Sequence, residues 1–143
     1  MKVVMYSGDK MGGAGRAARR MHLALNRFST VTSHLVVPTD LNATTGTTQI
    51  EKSTSSRILG VLRPGLDRLP LKLSKDTTQT PRSFAWLSTL SAKQINSSEA
   101  DIVHLHWTCA GLLSIGQIGK IEKPVVWTMH DMWAFCGTEH LAE

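Results

Sequence analysis

The succession of residues 1–38 constrains the fold more than anything else in the chain. Lys2–Tyr6 holds three apolar residues in a row and then an aromatic, the pattern of a short buried strand. Ser7 to Gly13 is a loop with three glycines, Gly8, Gly12 and Gly13. Ala14, Ala17, Ala18, Met21, Ala24, Leu25 and Phe28 then recur at helical spacing and form one apolar stripe. Arg16, Arg20, Leu23 and Arg27 fall on another, mostly basic face. Val31–Val37 is a second strand, ended by Pro38. A strand, a helix and a second strand in this order predict a parallel pair with a crossover helix.

The rest of the chain extends that pattern. Residues 41–56 are half Ser or Thr and read as loop. Residues 57–73 are apolar and basic, broken by Pro64-Gly65 and Pro70. They fit two short amphipathic helices, either packed on a sheet edge or touching a membrane surface. Lys75–Arg82 reads as a polar loop. Phe84–Asn96 reads as a helix, because Phe84, Leu87 and Leu90 are spaced by three and Trp86 and Leu90 by four. Asp101–Trp107 is a strand, Leu112–Ile121 a helix weakened by Gly116 and Gly119, and Val125–Met129 a strand introduced by Lys123-Pro124. The order predicts an α/β fold: a parallel sheet with helices on its faces. No internal repeat interrupts it.

Composition sets the outer bounds. A chain of 143 residues makes one domain and buries roughly 70% of its unfolded surface. With 41% hydrophobic and 19% charged residues it is not a disordered chain, a collagen or a coiled coil. No apolar run approaches the roughly 20 residues of a membrane span, and Asp9 and Lys10 interrupt the start too soon for a signal peptide. Two cysteines, Cys109 and Cys136, cannot make a disulfide framework, so free thiols and a cytoplasmic location are expected. Residues 1–40 and 41–100 each carry a net +4, and residues 101–143 a net −3. The basic part suits an anionic partner, such as phosphate, nucleic acid or a membrane surface, or is an ordinary solvated face.

Two places carry chemistry. The first is Gly12-Gly13-Ala14-Gly15-Arg16, at the junction of strand and helix. Glycines let the backbone approach a ligand with its N–H groups outward, the helix N-terminus adds positive partial charge, and Arg16 adds a full charge. This is either a diphosphate site or a tight turn. A P-loop fails, because Ala14-Gly15 follows where Lys-Ser or Lys-Thr is needed. Gly13-x-Gly15-x-x-Ala18 matches the dinucleotide fingerprint, which would make the chain part of a nicotinamide-dependent oxidoreductase. A further loop, however, separates it from its strand. The second strand also ends without an acidic residue for a ribose, Asp40 coming late.

The second place is the histidine-rich end. His104 and His106 share one face of their strand, with Trp107 at its rim, and His130-Asp131 lies at the rim of the next strand. These residues fit a metal site completed by Cys136 or His140, or a reaction centre with His130 as polar group and Asp131 as its neighbour, or plain core. Aromatic residues beside polar rims also suit sugar rings, which present apolar C–H faces and hydroxyl edges.

Met11–Ala18, Asp101–Trp107 and Lys123–Trp133 together resemble the N-terminal domain of GT-B-fold glycosyltransferases of family 4, in the branch that builds exopolysaccharide, capsule or O-antigen. The likeness covers both ends of the chain, and the block 123–133 is its most specific part. It implies a Rossmann-like parallel sheet with helices on both faces, forming one wall of a cleft. It implies sugar transfer, with retention, from a nucleotide-sugar donor to a polysaccharide or lipid-linked acceptor, without cofactor or metal. Contact with the inner face of a membrane fits such an acceptor, and no nucleic-acid partner is expected. By the resemblance, Gly12, Gly13, Gly15 and Arg16 face the donor diphosphate, His130 is the catalytic contact to the donor sugar, and His106, Trp107 and Asp131 lie on the acceptor side. Where the branch runs Thr-Gly-Gly-Cys-His, this chain has Cys136-Gly137-Thr138-Glu139-His140, matching at Gly137 and His140. The Glu-x7-Glu block of the nucleotide-sugar domain is absent from residues 1–143, so the chain is expected to be an incomplete N-terminal domain, inactive by itself, with Val125–Met129 at a sheet edge; the alternative is a non-catalytic fragment or binding module.

Overall fold

The structure, a computed structural model, describes residues 1–9, 11–37, 47–49, 62, 65–67, 69–70 and 82–141. It is an α/β fold built on a five-stranded sheet: β1 (Lys2–Tyr6), β2 (Thr32–Val37), β3 (Thr47–Gln49), β4 (Ile102–Leu105) and β5 (Val125–Trp127). The spatial order is β3-β2-β1-β4-β5, and every neighbouring pair is parallel. Three helices are described in full: α1 (Gly13–Leu25), α2 (Ala92–Asn96) and α3 (Ile115–Ile118).

The register sorts the core into two layers. Val4 stands beside Val103 and Tyr6 beside Leu105, so these side chains leave one face of the sheet. They pack with Leu90, Ile95, Leu112 and Leu113 from the segments around α2 and α3. Val3 and Met5 leave the other face and meet Leu35, Val37 and Ala18 of α1. Both faces are therefore covered, the usual condition of a parallel sheet. Polar groups fix α1 to β2 as well. Buried His22 bonds through Nδ1 to Ser33 Oγ (3.1 Å), and Asn26 closes a pair with the Ser33 backbone, accepting from its N–H (2.7 Å) and donating to its carbonyl (3.1 Å).

Several expectations need correction. The helix face that α1 buries is Ala14, Gly15, Ala18 and His22, whereas Met21 and Phe28 are exposed. The stripe is buried at Ala14 and Ala18, with Leu25 packed against the same core, and small Gly15 and polar His22 complete the buried face, because small side chains let the helix approach the sheet closely. Within the Ser/Thr-rich stretch, Thr47–Gln49 is a strand whose backbone pairs with Leu35–Val37.

The helix expected over 84–96 exists only as Ala92–Asn96, started by a capping box between Ser91 and Gln94. Before it, Ala85 takes a left-handed φ of 46°, and Thr89 and Leu90 donate to the Gly111 and Leu112 carbonyls. Those N–H groups serve tertiary structure and cannot serve a helix. The helix expected over 112–121 is shortened likewise. Leu112 and Leu113 donate to Cys109 and Thr108, and Ser114 caps α3. In the segment 57–73, residues 65–67 are helical and bury Asp67, whose Oδ1 accepts from Trp86 N (3.3 Å). Asp40, the loop 75–81 and most of 57–73 lie outside the described residues. Among the described residues no helix is long and apolar enough to cross a membrane.

Candidate functional site

The chain builds outward from β1 through β2 to β3, then returns to the other side of β1 with β4 and β5. The order reverses between β1 and β4, and ligands of open parallel sheets bind outside the carboxyl ends of the strands at such a point. Gly8, His106 and His130 all follow the carboxyl ends of their strands, and the loops converge there. Gly8 N–H donates to Trp107 O (2.6 Å), and a Cβ on Gly8 would stand 2.7 Å from Cys109 O. Glycine is what lets the loop after β1 lie against the loop after β4.

The glycine loop does not present the open cradle that the sequence predicts. Asp9 Oδ1 accepts from Met11 N (3.1 Å) and Gly12 N (2.8 Å), and Oδ2 accepts from Gly15 N (3.0 Å). Partial burial opposes the charge on Asp9. The N–H groups of Gly15, Gly12, Met11 and Ala14 outweigh it and hold the carboxyl below its ordinary range. The N–H groups of Gly12 and Gly15 are therefore engaged by the chain's own carboxylate, which takes the anion position at this helix end. Gly12 is glycine for the same reason, since a Cβ there would meet Asp9 Oδ2 at 2.5 Å. Gly13 faces open space, and Arg16 is exposed, so these two remain accessible.

The histidines do come together. His104 Nε2 bonds to Thr128 Oγ1 (2.8 Å), and His106 Nδ1 bonds to His130 Nε2 (2.9 Å). The His104 and His106 rings lie 4.3 Å apart between centroids, and those of His106 and His130 lie 5.2 Å apart. Burial, reinforced by the charge His104 and His130 would carry, pushes His106 down to about 4, and burial lowers His104 as well. Both are neutral imidazoles at pH 7. At 1% exposure His106 has no surface with which to touch an acceptor, which corrects its expected role as a contact. His130 is half-buried and lines a shallow, open pocket with Trp107, Trp127, Met129, Asp131 and Trp133.

Asp131 is an anchor. Its Oδ2 accepts from Trp107 Nε1 (3.0 Å) and pairs with His140 Nδ1, while Oδ1 accepts from Trp133 N (3.1 Å). His140 Nε2 in turn meets Ser83 Oγ (2.9 Å), and Trp133 Nε1 donates to Ser83 O (2.7 Å). The loop after β5 is thus tied to the strand-free segment before α2. Asp131 and the indole N–H of Trp107 are spent on this tie, whereas the Trp107 ring still faces the pocket. Cys109, beneath it, is raised to about 12 chiefly by burial and stays a thiol.

Among the described residues no three of His, Cys, Asp and Glu are placed to hold a metal ion. Sequence reasoning missed Asp9, Thr128 and Ser83. Asp9 stands three residues before the N-cap, Gly12, where the usual capping signal does not look, and Ser83 carries no signal, because its partners lie far away in sequence. No protein family, curated protein or solved structure matches the chain.

Proposed function

We propose that the chain is the N-terminal, Rossmann-like part of a retaining GT-B glycosyltransferase. It would act from a nucleotide-sugar donor on a polysaccharide or lipid-linked acceptor. The observation that carries this reading is His130, held by its Nε2 at the end of β5 in a pocket walled by indole rings. Aromatic faces beside a fixed polar group suit a pyranose, whose C–H faces stack while its hydroxyls are hydrogen-bonded. The parallel sheet and the reversal of strand order beside β1 support the same placement of a ligand. On this reading the donor diphosphate meets Gly13 and Arg16, and Asp9 keeps Gly12 and Gly15 for the protein itself. The pocket is shallow and open, so the 143-residue chain alone is expected to turn over no nucleotide-sugar; both substrates must be held together before transfer.

The test is kinetic. In an enzyme joining this chain to a nucleotide-sugar domain, His130→Ala lowers kcat by roughly 10²-fold, the scale for losing one preorganised donor to the transition state. An unchanged kcat per folded molecule would remove His130 from the reaction.

A further inference from the structure

His106 has one polar atom with no partner. Its Nδ1 meets His130 Nε2 at 2.9 Å, whereas its Nε2 is fully buried and bonds to nothing among the described residues. His104 does not serve it: its Nε2 is engaged with Thr128 Oγ1, and its Nδ1 makes no bond to His106 Nε2. A neutral imidazole carries one proton. Placed on His106 Nε2, that proton would leave an N–H donor stranded in the interior. Placed on Nδ1, it makes the bond to His130 and strands only a lone pair. Buried N–H groups without a partner are the rarer of the two in folded proteins.

We propose that His106 is a positioning residue that fixes His130 as a hydrogen-bond donor toward the pocket. His106 Nδ1–H donates to His130 Nε2, so the proton of a neutral His130 sits on its Nδ1, the nitrogen left for a ligand. Two consequences follow. The group that meets His130 is an acceptor: a sugar hydroxyl oxygen or an oxygen on which negative charge develops. His130 is also no general base, since one nitrogen carries the proton and the lone pair of the other is taken by His106. The burial that lowers the basicity of His106 keeps it neutral, as the arrangement requires. The consequence for sugar transfer rests on the proposed function, but the tautomer does not.

The test is long-range ¹H–¹⁵N NMR of the ¹⁵N-labelled 143-residue chain at pH 8, without ligand. The expected spectrum shows His130 Nδ1 as a protonated, pyrrole-type nitrogen and Nε2 as a pyridine-type nitrogen. A nitrogen–nitrogen coupling should link Nε2 to His106 Nδ1. Free imidazole side chains favour the opposite tautomer, so the expected result is diagnostic. In His106→Leu, His130 should revert to the Nε2–H form. A protonated Nε2 in the wild-type chain overturns the proposal, as does an Nδ1–H form that persists in the leucine variant. If that variant does not fold, the wild-type tautomer and coupling decide alone. The kinetic effect of His130→Ala is independent of this outcome, so the tautomer and the sugar-transfer reading fail separately.

Discussion

Asp9 and the three glycines around it differ in what they can tolerate. At Gly12 a methyl group would collide with the Asp9 carboxylate, so Gly12→Ala should expel that carboxylate from the helix end and cost about 1 kcal/mol, the scale of a lost cap. Gly13→Ala meets nothing within 4 Å, and stability should hold or rise by up to about 1 kcal/mol. Gly8→Ala would press on backbone carbonyls that cannot rotate away, and should cost about 1–3 kcal/mol. Urea denaturation of the three variants checks the ranking. Asp9 also gives a pH signature. Its folded pKa lies below the unfolded value near 3.8, so its contribution is complete above that value and is lost as the pH falls through the folded pKa. Asp9→Ala should therefore be less stable than wild type by about 1 kcal/mol at pH 7, with the gap closing as the pH falls through the lowered folded pKa. A gap that stayed constant with pH would mean that the carboxylate does not hold the helix end.

At the scale of elements, the sequence displayed β1, β2, β4 and β5 because each is a short apolar run set off by Gly, Pro or charge. It hid β3, where Thr-Thr-Gln pairs with β2 through its backbone. It overstated the helix before Asn96, because Phe84, Leu87 and Leu90 are apolar for reasons of burial in an irregular segment whose N–H groups bond elsewhere. Ile95 anchors α2 and is fully buried, so Ile95→Ala should cost about 2–5 kcal/mol, measurable by denaturant titration. β5 stands at the sheet edge as expected, with Val125 42% and Val126 48% exposed. An apolar edge invites pairing with another chain. The purified chain should associate as concentration rises, and Val126→Lys should reduce that association in sedimentation velocity. Equal association of the variant would place the contact elsewhere.

For the whole molecule, the gathering of the site was partly visible in the sequence. The alternation of strands and helices put His106-Trp107 and His130-Asp131 at neighbouring strand ends. It could not show that His106 is sealed beneath His130, or that Asp131 is bound to His140 and through it to Ser83, because these are long-range pairings of side chains. The chemistry left accessible is His130 with the Trp107 and Trp127 rings at the pocket, and Gly13 and Arg16 at the start of α1. One titration addresses it most directly. The labelled chain is followed by ¹H–¹⁵N NMR while UDP-, GDP- and ADP-linked hexoses, the bare nucleoside diphosphates and NAD⁺ are added in turn to about 10 mM, high enough to register millimolar affinities. A sugar-binding pocket predicts that at least one nucleotide-sugar shifts the His130 ring and the Trp107 and Trp127 indoles, while the bare diphosphate shifts only Gly13 and Arg16. Shifts produced by NAD⁺ alone, or pocket resonances unmoved by every nucleotide-sugar, would contradict it.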